Sequence, residues 1–409
     1  MPETLTIIYL AYMFVAIYFL SLFAITFVQN RKEIFSVPKT EKNYSVSVLI
    51  PAYNEQDSIK GTIESVMKSD YKNIVEVIVI DDGSKDDTLK IATSLKEKYP
   101  NLIVLHKENS GKADSLNYAL RIAKGELVAV VDADSYPDEY ALSSMAGFFD
   151  DEKVGAVTTR ILVRQKDNFL RKMQAVEYKV IAFTRKLLDF LDGIYVTPGP
   201  LALYRKSALI KIHGFDKNNM TEDIEATWHL VHDGYKVRMS FVSKVTTVAP
   251  DTLRKWFKQR IRWNIGGYQT ILKYKHVIFR KGMLGLFIIP FFAVSLFLGV
   301  FGLGILFYRT FRNFFYSYLA TKYSFIAETS LLTLSDVNFN PSVLNFLGAV
   351  LFVLGMLFIF FALRIINKNI HERESFFSII FYSLVYATLR PVVLVWSLGK
   401  FMTGKYSWR

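Results

Sequence analysis

Cysteine is absent from all 409 residues, which excludes disulfides, thiolate metal sites and a thiol nucleophile. Histidine is scarce, and His106, His213, His229 and His232 fall at no metal-ligand spacing with a carboxylate. Ser58, Ser84 and Ser110 stand outside any nucleophile elbow, so these hydroxyls and imidazoles read as structural. Neither an internal repeat nor a low-complexity linker is present. The leader Met1-Pro2-Glu3-Thr4 lacks a basic residue, and no small-residue cleavage site is evident, so the first apolar stretch reads as a retained anchor.

Charge is also missing from long stretches. None interrupts Leu5 to Asn30, Gly282 to Tyr308 or Asn338 to Leu363, and each is long enough to cross about 30 Å of hydrocarbon as a helix. A further run, Ser375 to Gly399, is broken only by Arg390, which Pro391 follows. A charge is costly in lipid and proline removes a backbone donor, which predicts a kinked or re-entrant helix. Arg31 and Lys32 after the first run, and Lys273, Lys275, Arg280 and Lys281 before the second, put the region between them in the cytosol. Simple alternation would leave the C-terminus outside, whereas Lys400, Lys405 and Arg409 argue for the inside; a re-entrant last segment reconciles the two. The expected divisions are an anchor over 1–30, a cytosolic domain over 31–265, an amphipathic interface segment over 266–282 and a membrane region over 283–409. The segment from Arg309 to Val337 reads as an external loop or a surface helix.

The formal net charge of +13 fits attraction to anionic lipid headgroups rather than to nucleic acid, and part of it can attract a diphosphate.

Between Ser45 and Val131 short β-rich stretches alternate with amphipathic ones, which implies a parallel sheet covered by helices. Strands are expected at Ser45–Ile50, Val75–Ile80, Leu102–Leu105 and Glu126–Val131, then at Val154–Arg160, with helices near Asp57–Lys68, Lys85–Lys98 and Ala113–Ala123. Three polar loops, at Asp81-Asp82-Gly83, Asn109 to Lys112 and Asp132-Ala133-Asp134, follow strands and converge on one sheet edge, where ligands bind.

Each of these signatures has a plain reading beside the chemical one. Asp-Asp-Gly is often only a turn. Asp132 and Asp134 place like charges together, which suits Mg²⁺ or Mn²⁺ bridging a diphosphate, or else a solvated loop. Gly111-Lys112 before a helix offers backbone donors and an ammonium to an anion, or a plain helix start. Thr221 can cap a helix beginning at Glu222, while Asp223 can accept a proton from an attacking hydroxyl. Gln259 to Trp263 fits an amphipathic membrane-surface helix, in which Arg260 and Arg262 could also neutralise a departing diphosphate and Trp263 offer a flat face to a sugar.

With these residues in place the chain resembles the membrane-embedded family 2 glycosyltransferases, which include cellulose, hyaluronan, chitin and poly-N-acetylglucosamine synthases. The resemblance spans about Ser45 to Gln269 and rests on the order and spacing of Val48 to Glu55, Val79 to Ser84, Asn109 to Ala113, Asp132-Ala133-Asp134, Thr221-Glu222-Asp223 and Gln259 to Trp263. Asp223 in its tripeptide, with the Gln-Arg-x-Arg-Trp string, is most similar to the poly-β-1,6-N-acetylglucosamine synthases, while Gly199 to Arg205 is nearer hyaluronan and chitin synthases.

The resemblance implies an α/β, GT-A type domain flanked by transmembrane helices. It also implies that Tyr53, Glu55, Asp82 and Lys112 bind the uridine nucleotide, and that Asp132 and Asp134 manage the diphosphate and its Mg²⁺ or Mn²⁺. Asp223 would be the general base; Gln259, Arg260 and Arg262 would hold the diphosphate; Trp263, with Gly199 and Glu222, would serve the acceptor. The activity expected is inverting transfer from a UDP-sugar, most simply UDP-N-acetylglucosamine, to a β-linked polysaccharide at the cell membrane. Alternatives are transfer of one sugar to a polyprenyl-linked acceptor and a non-catalytic membrane receptor for a nucleotide or glycan.

Overall fold

The structure is a computed structural model that describes residues 2–280, 282–326, 343–367, 374–404 and 406. An eight-stranded sheet organises its centre, in the order β3-β2-β1-β4-β7-β6-β8-β5. Its first half alternates β1 (Val46–Ala52), α2 (Ile59–Met67), β2 (Ile74–Asp81), α3 (Thr88–Ser94), β3 (Leu102–His106), α4 (Lys112–Ile122) and β4 (Leu127–Val130), after the N-terminal helix α1 (Pro2–Asn30). The second half adds β5 (Ser135–Pro137), the short α5 (Ser143–Ala146), β6 (Val154–Val163), α6 (Phe169–Phe190), β7 (Ala202–Arg205), α7 (Lys206–Lys211), α8 (Glu222–His232), β8 (Lys236–Thr247) and α9 (Leu253–Tyr274).

Side chains of successive strand residues point to opposite faces, and the central strands are apolar on both. Val48, Ile50, Val77 and Val79 enter one core with Leu127 and Ala129. Their neighbours Leu49, Ile78, Ile80, Val128 and Val130 enter the other, beneath α4 and α6. Burial on both faces is why these strands read as continuous Val/Ile runs. β1 pairs in parallel with β2 and β4, and β2 with β3, as the alternation predicts. The sheet as a whole is mixed, however, because β7 runs antiparallel between β4 and β6 and β5 runs antiparallel to β8.

Among the described residues four helices are long and apolar enough to cross a membrane, as expected of a membrane protein. They are α1, α10 (Ile289–Ile326), α11 (Val343–Asn367), and a segment built of α12 (Phe376–Phe381), a π turn at Tyr382–Tyr386 and α13 (Ala387–Met402). α10 continues as one helix through Arg309 to Ile326, while 327–337 and 338–342 of the expected loop and third run lie outside the described residues. Lys281, Lys405 and Arg409 also lie outside them. The last segment is a continuous helix, not a reversal of the chain. Its irregularity is the π turn, which widens the helix before Pro391, whose ring and missing N–H disfavour regular α geometry.

α6 and α9 join the two regions. Met173, Val176, Trp256, Ile261 and Ile265 pack with Leu363, Ile379, Tyr382, Tyr386 and Val393 in one cluster. Phe27 of α1 meets Phe183 of α6 and Phe361 of α11, with ring centroids 5.9 and 4.6 Å apart. Because α9 is one helix through Tyr274, the expected boundary between 265 and 266 falls inside an element.

The stretch between α1 and β1 touches the domain at Pro38. A Cβ on Gly147 would lie 2.0 Å from the Pro38 carbonyl oxygen, a clash that only backbone movement relieves. Gly147→Ala is therefore expected to cost about 1–3 kcal/mol, read as a lower Tm in detergent and faster proteolysis within 31–45. An unchanged Tm would show that this contact is not tight.

Candidate functional site

The loops at the carboxyl ends of β1, β2 and β4 meet the N-termini of α4 and α8. Asp82, only 4% exposed, organises the loop after β3. Its carboxylate accepts the backbone N–H of Ser110 at 3.0 Å and of Gly111 at 2.8 Å, together with the Lys107 ammonium. Gly83 at φ 73° and Gly111 at φ 99° take the left-handed backbone this crossing needs. The turn reading of Asp-Asp-Gly therefore holds, and the turn fixes where α4 begins.

Lys112 is the first residue of α4. Its ammonium lies 2.6 Å from Asp132 Oδ1 and 2.7 Å from Glu222 Oε1. Burial works against the charged ammonium, but Asp132, Glu222 and Asp223 outweigh it and raise its pKa. Gly199 is the floor beneath this bridge. Its carbonyl accepts the Asp132 N–H at 3.1 Å, and a Cβ there would stand 2.5 Å from the ammonium and 2.6 Å from Asp132 Oδ1.

Asp223 follows Glu222 at the start of α8, and its Oδ1 accepts the Ile224 N–H at 2.9 Å. Burial first, then the Glu222 and Asp132 charges, push its carboxyl up to about 6 against the opposing pull of Lys112. Burial would likewise raise Glu222, yet Lys112 and then Arg262 outweigh it and hold that group below the usual range. Thr221 makes no side-chain cap to α8; its hydroxyl donates to Asn219 Oδ1 at 3.2 Å. The plain capping reading of Thr221 is thus not what the structure holds.

Asp134 accepts from the hydroxyls of Ser135 at 3.1 Å and Thr247 at 3.3 Å. Burial and the Asp132 charge raise it to about 6. Glu55 is raised to about 7 by burial first, with Asp134 and Asp132 adding to the effect. Among the described residues no cluster of three or more His, Cys, Asp or Glu forms a ready-made metal site. The mutual repulsion of Asp132 and Asp134 nonetheless fits a hard divalent cation, which binds through one or two carboxylates and completes its shell with substrate phosphates and water.

Beside Asp134 opens a cavity of about 830 Å³, lined by Arg171, Lys258, Gln259, Arg262 and Lys400 among others. The side-chain oxygen of Gln259 is buried there without a hydrogen-bond partner among the described residues. Lys258, Gln259 and Arg262 share a face of α9 because positions three and four apart are neighbours on a helix.

Arg260 does not join them. Two residues on an α-helix are separated by about 200° around the axis, so Arg260 and Arg262 point apart. The Arg260 guanidinium donates to Glu177 Oε2 at 2.6 Å and lies 4.2 Å from the Trp263 ring centroid. Its expected place on the diphosphate is therefore corrected: it is committed to α6. Trp263 is partly buried against the main core and does not line the cavity, so its ring meets Arg260 on one side. Tyr53, 43% exposed, begins the loop after β1.

The fold thus brings Lys112, Asp132, Gly199, Glu222 and Asp223 to one point, with Asp134 and Glu55 in their field and Gln259 and Arg262 at the adjoining cavity. Sequence reasoning passes over Lys258, Arg171 and Lys400 at this cavity. Lys258 is legible from its spacing of four to Arg262; nothing local marks Lys400.

Residues 47–213 match the family described as Glycosyl transferase family 2. Poly-beta-1,6-N-acetyl-D-glucosamine synthase of Staphylococcus aureus is 32% identical over 260 residues, 63% of this chain and 62% of that protein. The protein of the same name from Staphylococcus epidermidis is 31% identical over 252 residues, 61% of each. The match spans about three fifths of the length of these synthases. A mannosyltransferase from Pyrobaculum calidifontis, solved in complex with GDP-Man and Mn²⁺, superposes over 99% of this chain and 100% of its own, with a TM-score of 0.59 and 19% identity. That likeness is one of fold. Residues 47–213 thus match the family 2 glycosyltransferases, and the strand order, with the site at the strand ends, gives them a fold of GT-A type.

Proposed function

We propose that this chain is an inverting membrane glycosyltransferase that uses UDP-N-acetylglucosamine to elongate a β-linked polysaccharide. The observation that carries the reading is Asp223, a half-buried carboxyl raised to about 6 beside the Lys112 bridge. A base poised near the working pH is ionised yet still basic enough to take a proton. In this reading Asp223 accepts the proton of the acceptor hydroxyl while that oxygen bonds to the anomeric carbon and the bond from that carbon to the UDP oxygen breaks. Gln259, Arg262 and Lys258 face the departing diphosphate, where preorganised cations stabilise developing charge. Asp132 and Asp134 are the residues to hold Mg²⁺ or Mn²⁺, whose charge supports the leaving group when bound. Tyr53, Glu55 and Asp82 belong to the nucleotide side, Asp82 by shaping its loop, and Trp263 to the acceptor side.

The choice of sugar is supported by the 32% identity to the staphylococcal synthases. The cell membrane, with the domain on the cytosolic side, is supported by Arg31 and Lys32 after α1 and by Lys273, Lys275 and Arg280 ahead of α10. A second reading, transfer of one sugar to a polyprenyl-linked acceptor, draws on Lys258 and Lys400, cavity cations with no ion pair among the described residues.

Purified protein with Mg²⁺ or Mn²⁺ and a panel of UDP-sugars separates these readings. A long product from UDP-N-acetylglucosamine alone is expected; UDP release only with added lipid acceptor would establish single transfer. The absence of UDP release under both conditions would instead favour a receptor. Turnover should rise with pH through about 6, because the ionised carboxylate is the base and its protonated form is inactive. Asp223→Asn should lower turnover by about a thousandfold; full activity would remove the base assignment. Activity is expected to vanish on thorough chelation and return with added Mn²⁺, and its survival would remove the metal role of Asp132 and Asp134.

A further inference from the structure

α6, α9 and the last apolar segment meet at a buried polar knot. Glu177 is 0% exposed, Arg260 8% and Tyr386 2%. Glu177 Oε2 accepts from Arg260 Nη2 at 2.6 Å and from the Tyr386 hydroxyl at 2.7 Å. The Tyr386 oxygen in turn accepts the Trp256 indole N–H at 2.6 Å. Tyr386 closes the π turn, so one irregular turn of that segment supplies the contact.

Stability alone is a poor account of this knot. Glu177 Oε1 and Arg260 Nε are buried without hydrogen-bond partners among the described residues, and a buried ion pair returns little net stability unless its remaining polar atoms are satisfied. Such a pair instead fixes one arrangement of the elements that carry it. The arrangement fixed here reaches the cavity from two sides. Arg260 sits between Gln259 and Arg262, which face the cavity. Beyond Tyr386, α13 packs against α9. Trp396 meets Phe257 at 6.4 Å between ring centroids, the Tyr268 hydroxyl donates to the Leu394 carbonyl at 3.1 Å, and Phe401 lies 5.6 Å from Tyr268. At the end of that run Lys400, Gly404 and Tyr406 form part of the same cavity wall.

We propose that Glu177, Arg260 and Tyr386 are positioning residues that lock the last apolar segment onto α9, so that the UDP-binding cavity is assembled only when the segment is docked. The ligand class rests on the function proposed above; the docking itself does not. Tyr386→Phe keeps the ring and its packing and removes only the hydroxyl that bonds Glu177 and Trp256.

The absence of cysteine from these 409 residues makes a direct test possible in the whole chain. Phe257→Cys with Trp396→Cys places a unique thiol pair across the interface, which a short bifunctional thiol reagent can join. Linking should be efficient with Tyr386 intact and fall several-fold with Tyr386→Phe. UDP affinity and donor KM should worsen by about tenfold in Tyr386→Phe, the scale of a lost hydrogen bond to a charged group, with kcat at saturating donor nearly unchanged. Joining the thiols in that variant should restore UDP affinity, which a merely destabilised protein would not show. Equal linking yields with and without the Tyr386 hydroxyl would overturn the lock, as would affinity that linking does not restore. Failure of the unaltered protein to bind UDP would instead sink the proposed function, leaving the linking yields to judge the docking.

Discussion

The site depends on one ammonium. Asp132, Glu222 and Asp223 are drawn together by chain segments about ninety residues apart in sequence, and such crowded like charges resist one another unless a cation opposes them. Lys112 opposes them by sitting between Asp132 and Glu222. It is placed there by the Asp82 loop, and room for it exists because position 199 has no Cβ. The same bridge divides the acids by role. Glu222, in direct contact, is held ionised, while Asp223, one residue on, is left with a raised carboxyl. A fixed cation and graded distance from it turn adjacent acids into a structural anion and a candidate base.

Helical geometry performs a second division on α9. In Lys258-Gln259-Arg260-Ile261-Arg262-Trp263 the face carrying 258, 259 and 262 opens on the cavity and Ile261 borders both the cavity and the interface cluster, whereas Arg260 turns to Glu177. Gly266 lets this helix approach α8, since a Cβ there would be 2.0 Å from the Thr221 hydroxyl. The cavity helix and α8 are therefore positioned by one another.

Much of this is legible in the sequence, and the exceptions have physical reasons. β1 to β4 announce themselves because strands buried on both faces need unbroken Val/Ile runs. β7 does not, because Ala202–Arg205 is four residues after a Pro-Gly-Pro turn and only its pairing with β4 and β6 makes it a strand. β8 carries a weaker signal of its own, with Val237, Met239 and Phe241 alternating inward. The Asp132, Lys112 and Glu222 contact lies beyond any local pattern, as does Lys400. Arg260 is different: its separation from Arg262 by two positions already sets the pair on different faces of a helix.

The last apolar segment shows the limit of length and composition as a criterion. Phe376–Met402 is 27 residues, about 40 Å as a helix, which suffices to cross a bilayer core of about 30 Å. Yet Lys179 of α6 pairs with Glu374 just before its first turn, and Lys400 joins the cavity in its last. Between these points Tyr386, Leu394, Trp396 and Phe401 contact α6 or α9. A helix that touches the α/β domain at both ends and along its length lies beside that domain. Its apolar surface then serves two neighbours, α9 on one side and α10 on the other, where Leu394 meets the open position at Gly299. Such an arrangement keeps Lys400 beside the α/β domain without a reversal of the chain. It also places the polar atoms of Tyr386 and Ser397 against protein partners instead of hydrocarbon, the condition under which polar groups persist in an otherwise apolar helix.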